Sequence, residues 1–315
     1  MRNLKPLILS LAILASCSSP LIYDPCADPC PPEPIELPEK IRVALVLGSG
    51  GVKGMAHVGV LEEFEKEGIE VDLVVGCSAG SLVGALWCDH PCVECLKMAV
   101  GEMKRGHLLD INLCASRYGL SQGVNMKAVL CHHLSTRDFA ELKIPLILVA
   151  TDLYKGELVP IGSGDLIGAV QASCAVPFFY APVCFQDRVL IDGGVINPVP
   201  VCVAQDLGAD MIIAVDLCEL LPMTFPKNLF GVAKRSAEIA FYWQNSVCLK
   251  GADVVIKPKI CNVGLFDESM KDALYQAGKE AAQEAMPKIK ELIRQKNFEG
   301  CQGERRLVQL PSYNA

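Results

Sequence analysis

The sequence predicts an α/β chain with three layers, α/β/α, around a mainly parallel central sheet. Three observations carry this expectation. From residue 41 onward, short apolar runs alternate with stretches of helical periodicity, the pattern of strands joined by crossover helices. Two of those runs pass through a glycine-rich turn straight into a helix, at 48–54 and at 76–80. Finally, 315 residues, 51% of them hydrophobic and 21% charged, suffice to cover both faces of a sheet and exclude a disordered chain.

Taken in order, Met1-Arg2-Asn3-Leu4-Lys5 is a short basic segment, and Pro6 to Leu14 is apolar but too short to span a bilayer. Residues 1–16 therefore read as a signal peptide. They end in Leu14-Ala15-Ser16-Cys17, which resembles the bacterial lipobox, where cleavage precedes the cysteine and its thiol takes a diacylglyceryl group. The expectation is a lipoprotein of the bacterial cell envelope, anchored to a membrane through Cys17, since acyl chains contribute roughly 0.8 kcal/mol per buried CH₂. Residues 17–40 read as a tether, because Pro20, Pro25, Pro29, Pro31, Pro32, Pro34 and Pro38 impose extended backbone. One ordered domain is expected over 41–295. Strands are expected at Arg42–Leu47, Val71–Val75, Leu146–Ala150, Val189–Ile191, Met211–Val215 and Val254–Ile256. Between the first two, Val58, Leu61 and Phe64 recur at helical spacing and Gly68 supplies a stop. Leu220 to Phe230 is apolar and proline-broken; covered core is preferred to a flap touching lipid, since Phe241 and Trp243 continue the apolar pattern. Glu268 to Gln295 reads as one or two helices with Pro287 as a break or start, and 296–315 as a loose tail.

A net charge of −7 without a basic stripe argues against a nucleic-acid partner. Among the 16 cysteines, Cys26 and Cys30 flank the tether and suit a bridge in an oxidising compartment. Cys77, Cys174, Cys202 and Cys218 sit in apolar runs and read as small buried hydrophobes. Cys88, His90, Cys92 and Cys95 invite a zinc reading, but the spacing does not make paired CxxC halves and no second ligand pair follows, so no metal is expected.

The chemistry lies in the glycine turns. Gly48-Ser49-Gly50-Gly51-Val52-Lys53-Gly54 joins a strand to a helix, so backbone N–H groups converge on a place for an anion, either a phosphate or an oxyanion. The dinucleotide fingerprint fails at Lys53 and no Gly-Lys-Ser/Thr occurs, which makes a nucleotide-binding protein the weakest reading and leaves no cofactor expected. Gly76-Cys77-Ser78-Ala79-Gly80 has the strand-to-helix setting of a nucleophile elbow, whose glycines leave room for a sharp turn that lifts the Ser78 hydroxyl to the top of the sheet. A serine needs a base, yet His57, His90, His107, His132 and His133 all precede residue 134, so the usual order of serine, acid, histidine cannot be assembled. Asp192, at a strand end before Gly193-Gly194, is the strongest candidate acid; Asp152 and Asp216 read as structural or capping carboxylates.

The glycine loop at 48–54, the elbow at 76–80 and Asp192-Gly193-Gly194, in this order, resemble the patatin-like phospholipase family and its bacterial members. The likeness runs over about residues 41–260, through Ala56–Leu61, Thr151-Asp152-Leu153, Ala172–Pro177 and Asn197–Pro200. It implies a patatin-like fold and an acyl hydrolase with a Ser-Asp dyad and no histidine: Ser78 as nucleophile, Asp192 as base, and the amides of Gly50 and Gly51 as oxyanion hole. Lys53, where the family has Arg or Lys, would hold the loop with Gly54, attract a phosphate headgroup, or be a solvated charge. Gly76 and Gly80 would shape the elbow, and Gly193 and Gly194 the turn after the acid. Ser49 replaces a glycine found in some members, and Cys77, at the variable position, should be buried. The implied activity is lipid acyl hydrolysis of phospholipase A or lysophospholipase type on a membrane lipid. The alternative is a catalytically silent lipid-binding or surface interaction lipoprotein of the same fold; the intact Ser78, Asp192 and glycine loop favour the enzyme.

Overall fold

A computed structural model of the chain describes residues 33–103, 105–111, 118–219, 221, 225–260, 263–264, 267–296 and 305–313. The expected signal peptide, Cys17, Cys26 and Cys30 lie outside the described residues. In chain order the strands and α-helices are β1 (Ile35–Pro38), β2 (Val43–Leu47), α1 (Met55–Lys66), β3 (Leu73–Cys77), α2 (Ala79–Asp89), α3 (Val93–Glu102), α4 (Arg105–Leu108) and α5 (Val124–His133). There follow β4 (Leu146–Asp152), β5 (Leu158–Ile161), α6 (Leu166–Ser173), β6 (Val183–Phe185), β7 (Arg188–Asp192), α7 (Val201–Asp206), β8 (Met211–Val215), α8 (Leu229–Cys248), β9 (Val254–Ile256), α9 (Lys271–Gln295) and β10 (Arg305–Val308).

The eight-stranded sheet has the order β6-β7-β4-β3-β2-β8-β9, with β5 paired to β4. β4, β3, β2, β8 and β9 run parallel. β5 and β7 are antiparallel to β4, and β6 to β7, so the sheet is mixed at one side. Its central strands are buried on both faces, as their β-branched runs require. Leu45, Leu47, Val74, Leu148 and Ile213 point into one core, with α1, α2, α3, α5, α6 and α9. Ala44, Val46, Val75, Cys77, Val149 and Ile212 point into the other, under α7 and the β1 strand. The three layers follow from this alternation.

Val58, Leu61 and Phe64 of α1 are fully buried. Gly68, at φ 64°, ends that helix, and the Ile69 N–H closes back on the Phe64 carbonyl at 2.9 Å. α1 and α9 cross backbone to backbone: a Cβ on Gly59 would lie 2.1 Å from the Tyr275 oxygen, and one on Gly278 2.0 Å from the Ala56 oxygen.

Four expectations need correction. Order begins at Ile35 rather than Ile41, because Ile35 and Leu37 bury alternate side chains; Pro38 is tolerated since β1 lies in a two-stranded ribbon outside the main sheet. Its partner is β10, inside the expected tail, where Leu310 is also buried. Pro287 neither breaks nor starts a helix; it lies within α9, whose Met286 and Ile289 are held in the core. The covered-core reading of 220–230 fails at Phe225, Leu229 and Phe230, each at least 79% exposed, and Trp243 is 64% exposed. Leu220 and residues 222–224 lie outside the described residues.

No helix among the described residues is long and apolar enough to cross a membrane.

Candidate active site

Sheet register explains how residues 114 positions apart meet. β3 ends at Cys77, paired with Val149 of β4. One residue further, Ala150 pairs with Asp192 at the end of the antiparallel β7. Ser78 and Asp192 thus reach the same level at the top of the sheet from opposite chain directions.

Ser78 has φ 53° and ψ −116°, a strained backbone for a residue with a side chain. Neighbouring groups hold it there. Its N–H donates to Ser173 Oγ at 3.0 Å, and the Ser173 hydroxyl donates to the Val149 carbonyl at 2.6 Å. Ser81 Oγ lies 2.6 Å from Ser173 Oγ, and the Cys174 thiol donates to the Ser78 carbonyl at 3.1 Å. The elbow glycines are required by contact: a Cβ on Gly76 would lie 2.8 Å from the Gly80 oxygen, and one on Gly80 2.0 Å from the Leu47 oxygen.

The Ser78 hydroxyl donates to Asp192 Oδ2 at 2.6 Å, while Asp192 Oδ1 accepts the Gly194 N–H at 2.7 Å. Both side chains are buried. Burial pushes the Asp192 carboxyl up to about 6, with the Ser78 and Gly194 hydrogen bonds opposing. A carboxylate poised near neutral pH and bonded to a hydroxyl is suited to take its proton. Gly193 is fixed by Val149, whose oxygen would lie 2.5 Å from an added Cβ.

The glycine loop begins where the Gly48 N–H donates to Val215 and the Ser49 N–H to Pro198. Gly50 is extended and Gly51 has φ 58°. The two glycines line the same cleft as Ser78 and Asp192. Their N–H groups have no acceptor among the described residues. Lys53 is not a solvated charge: it is largely buried and paired with Glu219 at 2.8 Å, tying the loop to the segment after β8. A Cβ on Gly54 would press on that of Ala79 at 3.1 Å, so loop and elbow are in contact.

His57 lies beneath the loop. It is fully buried, its Nε2 lies 2.8 Å from the Gly48 carbonyl, and burial lowers its pKa to about 4. It is therefore a neutral ring whose Nε2–H donates to the loop, a positioning group that the sequence identifies only as a residue of the first helix. Ser173 was equally invisible as a support, although it stands in the Ala172–Pro177 stretch that carries the resemblance. His90 and His132 are exposed and His133 is half-buried. Asp152 is structural, accepting the Tyr154 and Lys155 amides and pairing with Arg188 at 3.0 Å. Asp216 binds Cys218 N–H, Asn245 Nδ2 and Lys257 Nζ. Cys77 and Cys174 are buried and their thiols raised well above the ordinary value by desolvation, then by Asp192, which leaves them poor nucleophiles. Among the described residues no group of three or more His, Cys, Asp or Glu gathers as a metal site, the 88–95 cluster included.

Two cavities open at Ser78. One is apolar and runs between Met55, Leu82, Val83, Val100, Met126 and Tyr180. The other is a wider cleft whose wall includes Lys53, Lys234, Glu238 and Tyr242. Along the outer side of α8, Leu229, Val232, Ile239, Trp243 and Val247 make an exposed apolar stripe at helical spacing.

Residues 45–204 match the model of the family described as patatin-like phospholipase. The chain is 33% identical over 176 residues to an uncharacterised NTE family protein of Mycobacterium bovis, a stretch covering 56% of this chain and 49% of that protein. It is 25% identical over 280 residues to lysophospholipase nte1 of Neurospora crassa, covering 79% of this chain and 18% of the fungal one. The chain therefore spans half or less of the length of these relatives. In fold it is similar to VipD of Legionella pneumophila, with a TM-score of 0.53 and 11% identity over 85% of this chain and 72% of that one. The family match takes in the glycine loop, the elbow and Asp192 alike, and on that ground the chain belongs to the patatin-like phospholipase family.

Proposed function

We propose that this chain is a lipid acyl hydrolase of the phospholipase A or lysophospholipase type, in which Ser78 and Asp192 act as a dyad through an acyl-enzyme. The observation that carries the reading is the 2.6 Å hydrogen bond from the Ser78 hydroxyl to Asp192, beside two glycine amides and at the mouth of an apolar cavity. The acyl chain enters that cavity and the ester carbonyl sits over Ser78. As Ser78 Oγ attacks, Asp192 takes its proton, and the Gly50 and Gly51 amides stabilise the developing oxyanion, each donor worth ~10²–10³ in rate. Asp192 returns the proton to the leaving alcohol, which departs through the wider cleft. Water, deprotonated by the same carboxylate, then releases the fatty acid.

Kinship with a protein called a lysophospholipase supports the substrate class. The exposed stripe on α8 supports presentation at a lipid surface, because the same helix walls the cleft. Acylation at Cys17 would hold the domain there.

In mixed lipid extracts, the wild-type protein is expected to release fatty acids and lysolipids or glycerophosphodiesters, resolved by mass spectrometry, and a fluorophosphonate probe is expected to label Ser78. Ser78→Ala should do neither. A folded wild type that takes no label and releases no fatty acid would overturn the hydrolase reading. For the membrane contacts, Cys17→Ser is expected to move the chain to the soluble fraction and to end palmitate incorporation. Trp243→Ser should lower hydrolysis of vesicle lipid about tenfold, the equivalent of one buried aromatic, while leaving a short soluble ester within about twofold. Equal losses on both substrates would contradict a surface role for α8.

A further inference from the structure

We propose that Cys92 and Cys95 form a reversible dithiol–disulfide pair that undergoes exchange with low-molecular-weight disulfides. Cys92-Val93-Glu94-Cys95 opens helix α3, with Cys92 at the N-cap and Cys95 in the first turn. One turn of helix brings the two sulfurs to the same side, where they lie 2.9 Å apart as free thiols. A disulfide bond is about 2.05 Å long, so closure needs a combined sulfur movement of under about 1 Å. Cys95 is exposed and Cys92 half-buried, so a small disulfide can reach the pair. The site is separate from the proposed hydrolytic centre: neither cysteine lines a cavity at Ser78, although α3 continues to Val100 on the apolar wall.

The two thiols are not equivalent. Cys92 Sγ accepts the Cys95 backbone N–H at 3.4 Å and stands at a helix N-terminus, both of which favour a thiolate. Contact with the Cys95 side chain, and then its amide, holds the Cys92 thiol below its ordinary value, and the same side-chain contact raises Cys95. Glu65, whose carboxylate accepts the Val93 N–H at 2.9 Å, opposes this at Cys92 with its negative charge, whereas the Glu94 backbone amide lowers Cys92 further and the Glu94 carboxylate adds to the rise at Cys95. Cys92 is therefore the attacking sulfur and Cys95 the resolving one. The Cys92 thiolate attacks one sulfur of the small disulfide, forms a mixed disulfide and expels one thiolate. Cys95, losing its proton, then attacks the Cys92 sulfur and expels the second thiolate. Two electrons pass from the protein to the reagent, and two protons go to the two released thiolates. The loop closed holds only two intervening residues, so the cross-link removes little entropy from the unfolded chain and the pair remains reducible.

The test uses the full chain, equilibrated with glutathione disulfide at mildly alkaline pH, quenched in acid and mapped by peptide mass spectrometry. The peptide carrying Cys92 and Cys95 is expected to lose two hydrogens and to regain them with dithiothreitol. In Cys95→Ser the reaction should stop at a glutathione adduct on Cys92, formed at least about tenfold faster than on Cys131, which is also exposed. Cys131 and Cys184 report that the oxidant is competent. If either carries glutathione while the 92–95 peptide remains a dithiol, or if Cys92 in Cys95→Ser reacts no faster than Cys131, the proposal fails. Serine at these partly solvated positions is close to isosteric, and a retained melting temperature checks the fold of the variant.

Discussion

Asp192→Asn is expected to cut turnover by ~10²–10⁴, the usual worth of a general base, without loss of stability at neutral pH. Asparagine keeps an oxygen to accept the Gly194 N–H and places an amide against Ser78 Oγ, so the buried hydrogen bonds have replacements. What it cannot do is take a proton. The carboxyl, raised from 3.8 to about 6 by burial, also makes a stability claim. Between those values the folded chain holds a proton that the unfolded chain has released. The contribution from protonated Asp192 is present at low pH and lost as pH rises through about 6, at a cost on the order of 3 kcal/mol for the ionised form. Wild-type activity should rise with pH through about 6 and then level off, while Asp192→Asn should melt at or above the wild-type temperature at pH 8 and lose that advantage toward pH 4. Retained hydrolysis in the variant, or marked destabilisation of it at pH 8, would show that the carboxylate serves the fold and not the reaction.

That the buried Asp192 carboxylate costs stability fits the strained serine opposite it, and both are legible in the sequence for the same reason. A turn that needs glycine on either side of a serine, and an acid between a strand and two glycines, are local patterns that survive without coordinates. What was not legible depends on direction and distance. The run at 189–191 reads as a strand, but nothing in it reveals that β7 lies antiparallel to β4, the feature that brings Asp192 level with Ser78. His57 and Ser173 act through backbone atoms of other elements, Gly48 O and Ser78 N, so their spacing carries no signal of their own. α8 misled for a different reason. Apolar residues at helical spacing identify a face that wants cover and say nothing of what covers it, and here Ile239, Trp243 and Val247 face outward. The β1 strand was hidden by prolines that an edge ribbon tolerates.

The closest approach in the site lies between the two glycine turns, and Gly80→Ala tests it. The added methyl would stand 2.0 Å from the Leu47 oxygen and 2.5 Å from its carbonyl carbon, backbone atoms with no rotamer to change. Leu47 ends β2 immediately before the glycine loop, so relief of the clash must shift α2 and Ser78 relative to the Gly50 and Gly51 amides. The expected result is a stability loss of about 3 kcal/mol, the upper range for overpacking, and a fall in turnover of ~10², the usual consequence of a 1 Å misplacement. Gly84→Ala, one turn further along α2, separates this contact from a general intolerance of the helix. There the methyl meets the Val74, Leu146 and Leu47 side chains at 3.3, 3.4 and 3.7 Å, which can give, and alanine gains about 1 kcal/mol in helix propensity. That variant should stay within about 1 kcal/mol of wild type by denaturant unfolding and keep nearly full activity. Were Gly80→Ala as benign as Gly84→Ala, the elbow would have to owe its position to something other than the end of β2, and the fixed spacing between Ser78 and the loop amides would lose its physical basis.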